Sequence, residues 1–190
     1  MKKWLFNPFT YIAGAQALAI GWGIMIVTSI ICFFTKTHFD GVLDLHYSAN
    51  QAPFWMHLVE PLIDWVILTI TIYGAGLAFS KSSIRMIDVA GTISLARWPM
   101  LFAALIGFFI HVPAKMQTLQ DIQNAFTASM IFFSILELVF NIWMVALFYN
   151  AFSVSCNLKG SKSAWIFVAA IILSEIFSKT IYFLLSKQLN

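Results

Sequence analysis

The stretch SLARWPML, Ser94 to Leu101, places an arginine and a proline two residues apart within a long apolar run. A charged side chain is costly in the hydrocarbon core of a membrane, and proline removes a backbone hydrogen bond from a helix. Only fourteen residues of the run, 99–112, remain from the proline onward, whereas a membrane-spanning helix needs about 20. The run over residues 89–112 is therefore predicted to be one spanning helix that is kinked at Pro99.

Arg97 lies about 12 Å from the inner end of this run, at 1.5 Å per residue. A long basic side chain extends from such a depth to the membrane surface while its alkyl stem stays in lipid. Lys81, Arg85 and Asp88 precede the run and mark that surface. We therefore predict that Arg97 anchors the kinked helix at the inner face, with lipid headgroups as its contact.

The whole chain has the composition of a polytopic membrane protein. Of its 190 residues, 61% are hydrophobic and 10% are charged, against about a quarter charged in soluble domains. Mean hydropathy is +0.85. A net charge of +3 is too small to indicate nucleic-acid binding. The two cysteines, Cys32 and Cys156, give no disulfide framework and are interpreted as ordinary thiols of apolar segments.

Five apolar runs are long enough to cross a membrane as helices. The connections are short, so residues 1–190 are predicted to form a single all-α bundle. The first run follows basic residues and is too long for the core of a signal peptide, so it is predicted to remain as a spanning anchor. The predicted spans are residues 11–34, 53–79, 89–112, 129–152 and 164–185.

Basic residues alternate unequally between the two ends of these spans. Six lie on the side of the N-terminus and three on the opposite side, and an excess of basic residues marks the cytoplasmic side. The predicted protein therefore has a cytoplasmic N-terminus and an external C-terminus. The inner residues are Lys2, Lys3, Lys81, Arg85, Lys159 and Lys162, and the outer ones are Lys36, Lys115 and Lys187.

Polar and ionisable residues inside the predicted spans are the main functional indication, because such residues usually face the interior of a bundle. Their positions place them about 16–22 Å from the inner ends of their helices. Glu175 and Lys179 are also spaced for an i,i+4 ion pair. One interpretation is structural pinning by neutralised charges, and another is a path for protons or ions. The cluster consists of Asp64, Glu137, Asn141, Glu175 and Lys179.

The start of the second span has two interpretations, because Pro53 and Pro61 are both suited to the first turn of a helix. A helix that begins at Pro53 would carry Pro61 in its interior, where the ring clashes with a preceding carbonyl. The preferred alternative is a span that begins at Pro61, with residues 54–60 in the membrane interface. Glu60 is then predicted to be hydrated.

The loop before this span contains His38, Asp40, Asp44 and His46. Histidine and carboxylate groups are zinc ligands, so these four residues are a weak candidate for a metal site. Their spacing matches no established zinc motif, and the Asp-Gly pair in the loop is equally a turn signal. A hydrated loop without metal is preferred. Since no motif for hydrolysis or redox chemistry occurs either, we predict no enzyme, no catalytic residues and no cofactor.

Small residues repeat at four-residue spacing along the first span, at Ala13, Ala17 and Gly21. Such a stripe allows two helices to approach closely. We predict that it packs against another helix of the same chain.

A resemblance to a known family rests on the third span and the end of the chain. The third span contains a glycine, a short apolar run and a central proline, and the matching residues are Gly91, Ser94, Leu95 and Pro99. The basic turn FSVSCNLKGSKSAW leads into the last span. In these features, with five spans and an inner N-terminus, the chain resembles YIP-domain (Ypt/Rab-interacting-protein-like) integral membrane proteins of the compact bacterial type. The acidic N-terminal motif of eukaryotic members is absent, so GTPase binding is not expected.

The resemblance implies a non-enzymatic, multi-pass protein of the bacterial cytoplasmic membrane that acts in membrane organisation or as an adaptor or scaffold. Its partners would be membrane lipids, another membrane protein or further copies of the same chain, and not nucleic acid. The alternative, suggested by the ionisable residues, is a small oligomeric transporter or channel subunit that uses Asp64, Glu137 and Glu175.

Overall fold

The computed structural model of the chain describes residues 2–110 and 127–189. Residues 111 and 112 of the predicted third span, and Lys115 of the predicted outer side, lie outside this part of the chain. The helices are α1 (Lys2–Phe6), α2 (Gly14–Thr35), α3 (Phe54–Phe79), α4 (Met86–Ala96), α5 (Met100–Ile106), α6 (Ala128–Ser155) and α7 (Ser161–Leu189). Two short strands, β1 (Thr37–His38) and β2 (His46–Tyr47), pair antiparallel.

Five helical segments are long and apolar enough to cross a membrane, which confirms the predicted all-α bundle of five spans. The segments are α2, α3, the pair α4–α5, α6 and residues 161–185 of α7. Many large apolar side chains of these helices are exposed on the protein, among them Ile70, Ile142 and Ile176. Exposed side chains of this kind suit contact with lipid. The protein is therefore a polytopic membrane protein.

The third span is interrupted where the sequence predicts a kink. Helix α4 ends at Ala96, and α5 begins at Met100, directly after Pro99. Proline has no backbone N–H, so it cannot donate to the carbonyl of Leu95. That carbonyl instead accepts a hydrogen bond from the Trp98 backbone N–H at 3.2 Å. The backbone thus forms i,i+3 hydrogen bonds through residues 97–99, and the α-helix is interrupted without leaving this carbonyl unpaired.

The third span lies at the centre of the bundle. In its most apolar stretch 78% of the residues are buried, against 17–33% in the other four spans. Helix α4 packs against α2, α3 and α6, whereas α7 packs mainly against α3. Any polar group on the third span must therefore find a partner within the protein.

Helices α2 and α4 approach closely enough for backbone contact. A Cβ atom on Gly21 would lie 2.5 Å from the Leu95 nitrogen, and one on Gly91 would lie 2.2 Å from the Gly14 carbonyl oxygen. The small-residue stripe on α2 thus packs inside the monomer, as predicted. Its first member is corrected, however, because Ala13 is exposed and precedes the helix, and Gly14 makes the contact in its place.

Gly21→Ala is expected to lower the melting temperature of the protein in detergent, because the added methyl group forces α2 and α4 apart. Gly23→Ala is the matched control on the same helix, since a Cβ there meets nothing within 4 Å. Alanine favours a helix over glycine by about 1 kcal/mol, so the control should be neutral or stabilising. Similar melting temperatures for the two variants would contradict the close α2–α4 packing.

Candidate functional site

The loop between α2 and α3, residues 36–53, folds back onto the end of the bundle. We call this the outer loop, and this end the outer end, following the predicted orientation. Lys36 adopts a left-handed backbone conformation (φ 55°) at the end of α2 and so reverses the chain. The reversal pairs Thr37 with Tyr47 and His38 with His46. The short hairpin holds Phe39 in the bundle, where only 3% of its surface is exposed.

A buried ion pair lies beneath this loop. Arg97 Nη2 is 3.5 Å from Asp64 Oδ2, and the two side chains are 2% and 0% exposed. The other oxygen of Asp64 accepts hydrogen bonds from the Ser178 and Tyr182 hydroxyls of α7. The Arg97 guanidinium also lies 5.6 Å from the centre of the Phe39 ring. This pair therefore joins the third span to α3, α7 and the outer loop.

The prediction that Arg97 anchors the inner face is wrong. Its side chain turns into the bundle towards Asp64, whereas Arg85 and Asp88 pair with each other at 2.7 Å near the start of α4. Helix α4 begins at Met86, three residues earlier than predicted, which places Arg97 about 4.5 Å further from the inner end. The Asp64 carboxylate is within reach and gives the guanidinium a charged partner, whereas an extension to the inner surface would pass through an apolar region.

The preferred position for the start of the second span, at Pro61, is also wrong. Helix α3 begins at Phe54 and contains Pro61 in its interior. Glu60 is buried and not hydrated. Its two carboxylate oxygens accept hydrogen bonds from His38 Nδ1 at 2.8 Å and from the Phe39 backbone N–H at 3.1 Å. The outer loop thus supplies the partners that water would otherwise provide.

Polar residues of α6 and α7 also hold the outer loop. Glu175 Oε2 accepts a hydrogen bond from the Leu43 backbone N–H at 3.0 Å, and Asn141 Nδ2 donates to the Leu43 carbonyl at 2.7 Å. Lys179 forms an ion pair with Asp44 of the loop, and its nitrogen lies 3.7 Å from Glu175. Three members of the predicted cluster therefore bind polar groups of the outer loop, whereas Asp64 pairs with Arg97.

Glu137, the remaining member of the cluster, lies beside Tyr47 of the hairpin. Burial of the Tyr47 hydroxyl, and then the negative charge of Glu137, raise the pKa of Tyr47 well above its usual range. The Tyr47 hydroxyl therefore stays protonated and donates to the Ala103 carbonyl at 3.2 Å. This hydrogen bond fixes β2 against α5.

The four outer-loop residues considered as metal ligands do not converge. Asp44 turns to Lys179, while Asp40 Oδ1 lies 3.2 Å from His46 Nδ1 at the surface. The His46 imidazole lowers the pKa of Asp40, and the Asp40 carboxylate raises the pKa of His46, so the two groups favour each other's charged form. The His38 ring stacks on His46, but its Nδ1 donates to Glu60 of α3 and its ring lies against that of His57.

A cavity of about 600 Å³ opens beside this group, between the first turns of α3 and the last turns of α7. Apolar atoms form most of the surface of its wall, and polar and charged side chains are gathered at the hairpin and the facing turns of the helices. The apolar residues are Trp55, Met56, Val59, Ile63, Phe183 and Leu185. The polar residues are His38, Asp40, His46, Ser48, Glu60, Lys179 and Tyr182.

Sequence reasoning missed the hydroxyl partners of the buried charge. Ser174, Ser178 and Tyr182 recur every four residues along α7, and Ser174 and Ser178 are completely buried. A polar stripe of this period in an apolar helix marks a face that meets a polar group of a neighbouring helix. That signal was present in the sequence, whereas the role of Glu60 depends on the fold of the outer loop.

Comparison of the chain with known protein families, with curated proteins and with solved structures finds no match. The fold and the site define a polytopic α-helical membrane protein whose outer end contains a folded loop, a buried ion pair and an amphipathic cavity.

Arg97→Met is expected to destabilise the protein by about 3–5 kcal/mol, because Asp64 would stay buried without its cation. Arg85→Met is the matched control. It breaks a shorter ion pair, at 2.7 Å, but the Arg85 side chain is 73% exposed, so the control should change stability little. Unfolding of the purified protein in detergent measures both effects. A loss as large for Arg85→Met would show that burial of the Arg97 pair is not the decisive factor.

Asn141→Ala should lower stability by about 1–3 kcal/mol, because the Leu43 carbonyl loses its donor in a partly buried position. Asn150→Ala removes an equivalent 2.7 Å bond from the same helix to the Phe6 carbonyl, in an exposed position where water can replace it. Hydrogen exchange should show faster opening of the outer loop in the first variant only. Unchanged exchange in Asn141→Ala would argue against pinning of the loop by α6.

Proposed function

We propose that the protein is a non-enzymatic membrane protein that binds a zwitterionic phospholipid at its outer end and acts in membrane organisation. The observation that carries the proposal is the cavity between α3 and α7, which combines an apolar wall with a charged region. Its volume of about 600 Å³ is that of a ligand pocket and not of a packing defect.

The position of the cavity favours a lipid over a soluble ligand. It lies at the ends of two spanning helices, where headgroups and the first part of the acyl chains are the neighbouring molecules. Trp55 lines the cavity and is 49% exposed, and tryptophan is enriched at the membrane–water interface. The apolar wall suits an acyl chain and excludes a fully polar solute.

The polar region of the cavity carries charges of both signs. Lys179 and His46 offer cationic or donor groups, and Asp40 offers a carboxylate. These three side chains form ion pairs within the protein but are 42–50% exposed, so they can bind a headgroup as well. A headgroup with one phosphate and one ammonium would find a partner for each. An anionic headgroup would also meet the Asp40 carboxylate, so a zwitterionic lipid is favoured.

The role in membrane organisation follows from the resemblance to YIP-domain proteins, which supports a non-enzymatic function in the bacterial cytoplasmic membrane. The alternative of a transporter or channel subunit has less support. In the described part of the chain Asp64 and Glu175 are engaged by Arg97, hydroxyl groups, Lys179 and the loop backbone. Carboxylates bound in this way are occupied and not poised to carry a proton or an ion.

Native mass spectrometry of the protein released from detergent is expected to show bound phosphatidylethanolamine. Ile63→Trp should remove it, because the larger ring fills the cavity that Ile63 lines. Ile70→Trp is the matched control, seven residues further along the same helix, where the side chain is 57% exposed. The control should retain the lipid.

Added lipid provides a second measurement. Phosphatidylethanolamine should raise the melting temperature of the wild-type protein more than phosphatidylglycerol does, and this difference should disappear in Ile63→Trp. Equal lipid retention by Ile63→Trp and Ile70→Trp would contradict the proposal, and so would an equal response to the two lipids. Ion flux in liposomes that is abolished by Glu175→Gln, with folding unchanged, would favour the transporter alternative.

A further inference from the structure

We propose that His38, His57 and Glu60 form a binding site for one divalent transition-metal ion, with zinc as the ion best suited to the ligands. This inference goes beyond lipid binding and does not depend on it. Two imidazoles and one carboxylate are an established ligand set for zinc sites that keep a fourth position open. The site differs from the set suggested by the outer-loop sequence and shares only His38 with it.

The three donor groups already converge. One ligand atom from each residue lies within 4.8 Å of the other two, and all three residues are buried. Zinc at 2.0–2.2 Å from each donor would place the donors roughly 3.4 Å apart in a tetrahedral arrangement. His38 Nδ1 and Glu60 Oε1 are now 2.8 Å apart. The ion would displace the proton that His38 Nδ1 donates to Glu60, and side-chain adjustments on the order of an ångström would then admit it.

His57 provides the independent observation that points to a ligand. The residue is completely buried, and its Nδ1 lies 2.9 Å from the Thr37 carbonyl oxygen. Since a carbonyl only accepts, Nδ1 must carry the proton, which leaves a lone pair on Nε2. Among the described residues Nε2 has no hydrogen-bond partner. A buried polar atom without a partner is rare, and here a metal ion would supply the partner.

The hydrogen bond from His57 to Thr37 is also the arrangement that metal-binding histidines use. Such histidines donate their second ring N–H to a carbonyl or carboxylate, which fixes the tautomer and the direction of the free nitrogen. The Phe33 ring packs edge-on against His57, with ring centres 5.8 Å apart. The imidazole is thus oriented before any ion binds.

The fold positions the other two ligands with similar precision. His57 and Glu60 are three residues apart on α3, so their side chains project from one face of the helix. His38 is held by β1, and its ring stacks on His46 with centres 5.4 Å apart. Because His38 and Glu60 also line the cavity, an ion between them would remain accessible, with a water molecule or another oxygen donor as its fourth ligand.

Zinc titration by calorimetry tests the site, using protein that has been stripped with a chelator and kept in detergent. The wild-type chain should bind one ion. His57→Phe keeps the ring contact but removes the free nitrogen, and Glu60→Gln keeps the shape but removes the charge. Each should weaken binding by at least about 100-fold, because loss of an outer-shell partner alone costs 10–100-fold.

Glu137→Gln is the matched control, since it makes the same substitution as Glu60→Gln at a carboxylate that lies beside Tyr47 and does not line the cavity, and it should change affinity by less than threefold. Co²⁺ provides a readout on the wild-type chain alone, through the visible absorption of a tetrahedral nitrogen–oxygen site, and this test stands even if a variant does not fold. Absence of one-to-one zinc binding by the folded wild type would overturn the proposal. An equal loss in Glu137→Gln and Glu60→Gln would overturn it as well. Neither result would affect the lipid measurements with Ile63→Trp.

Discussion

The buried pair of Arg97 and Asp64 is the contact on which the rest of this structure depends. A charge in the centre of a membrane bundle is tolerated only with a partner, and each element near the pair contributes to that requirement. Helix α4 ends directly before the arginine, at the break that Pro99 causes, α3 carries the aspartate, and α7 adds two hydroxyl groups. The Phe39 ring, brought in by the outer loop, covers the guanidinium. One electrostatic constraint thus determines how the third span, α3, α7 and the loop fit together.

The outer loop meets a related constraint, which is the pairing of its backbone hydrogen-bonding groups inside the protein. Backbone groups at membrane depth must be satisfied inside the protein, since lipid offers no hydrogen bonds. Here Glu60, Asn141 and Glu175 serve the backbone of the loop. The hairpin that results leaves a cavity beside α7 and brings His38 to His57 and Glu60 of α3. The proposed lipid and metal sites are therefore both consequences of folding the loop onto the bundle, although each has its own evidence.

Much of the architecture is predictable from the sequence because it depends on local properties. Length and hydropathy gave the five spans, Pro99 gave the break, and Ala17 and Gly21 marked the face on which α2 meets α4. The errors concern the start of the second span, the first residue of the small-residue stripe and, above all, polar side chains. Depth along a helix was estimated correctly to within a turn, but depth does not tell which way Arg97 points. Glu60 was expected in water because a preceding loop is usually hydrated, and its true partners, His38 and Phe39, are about twenty residues away in the chain.

The sequence by itself determined the class of protein, the number of spans and the position of the break, since each follows from a continuous stretch of residues. Only the tertiary structure decided which polar groups meet. The orientation of a side chain around its helix, and the path of the outer loop, are set by packing between elements that are distant in the chain. For that reason Asp64 is paired with Arg97 instead of joining Glu175, and His38 binds Glu60 of α3 instead of a carboxylate of its own loop.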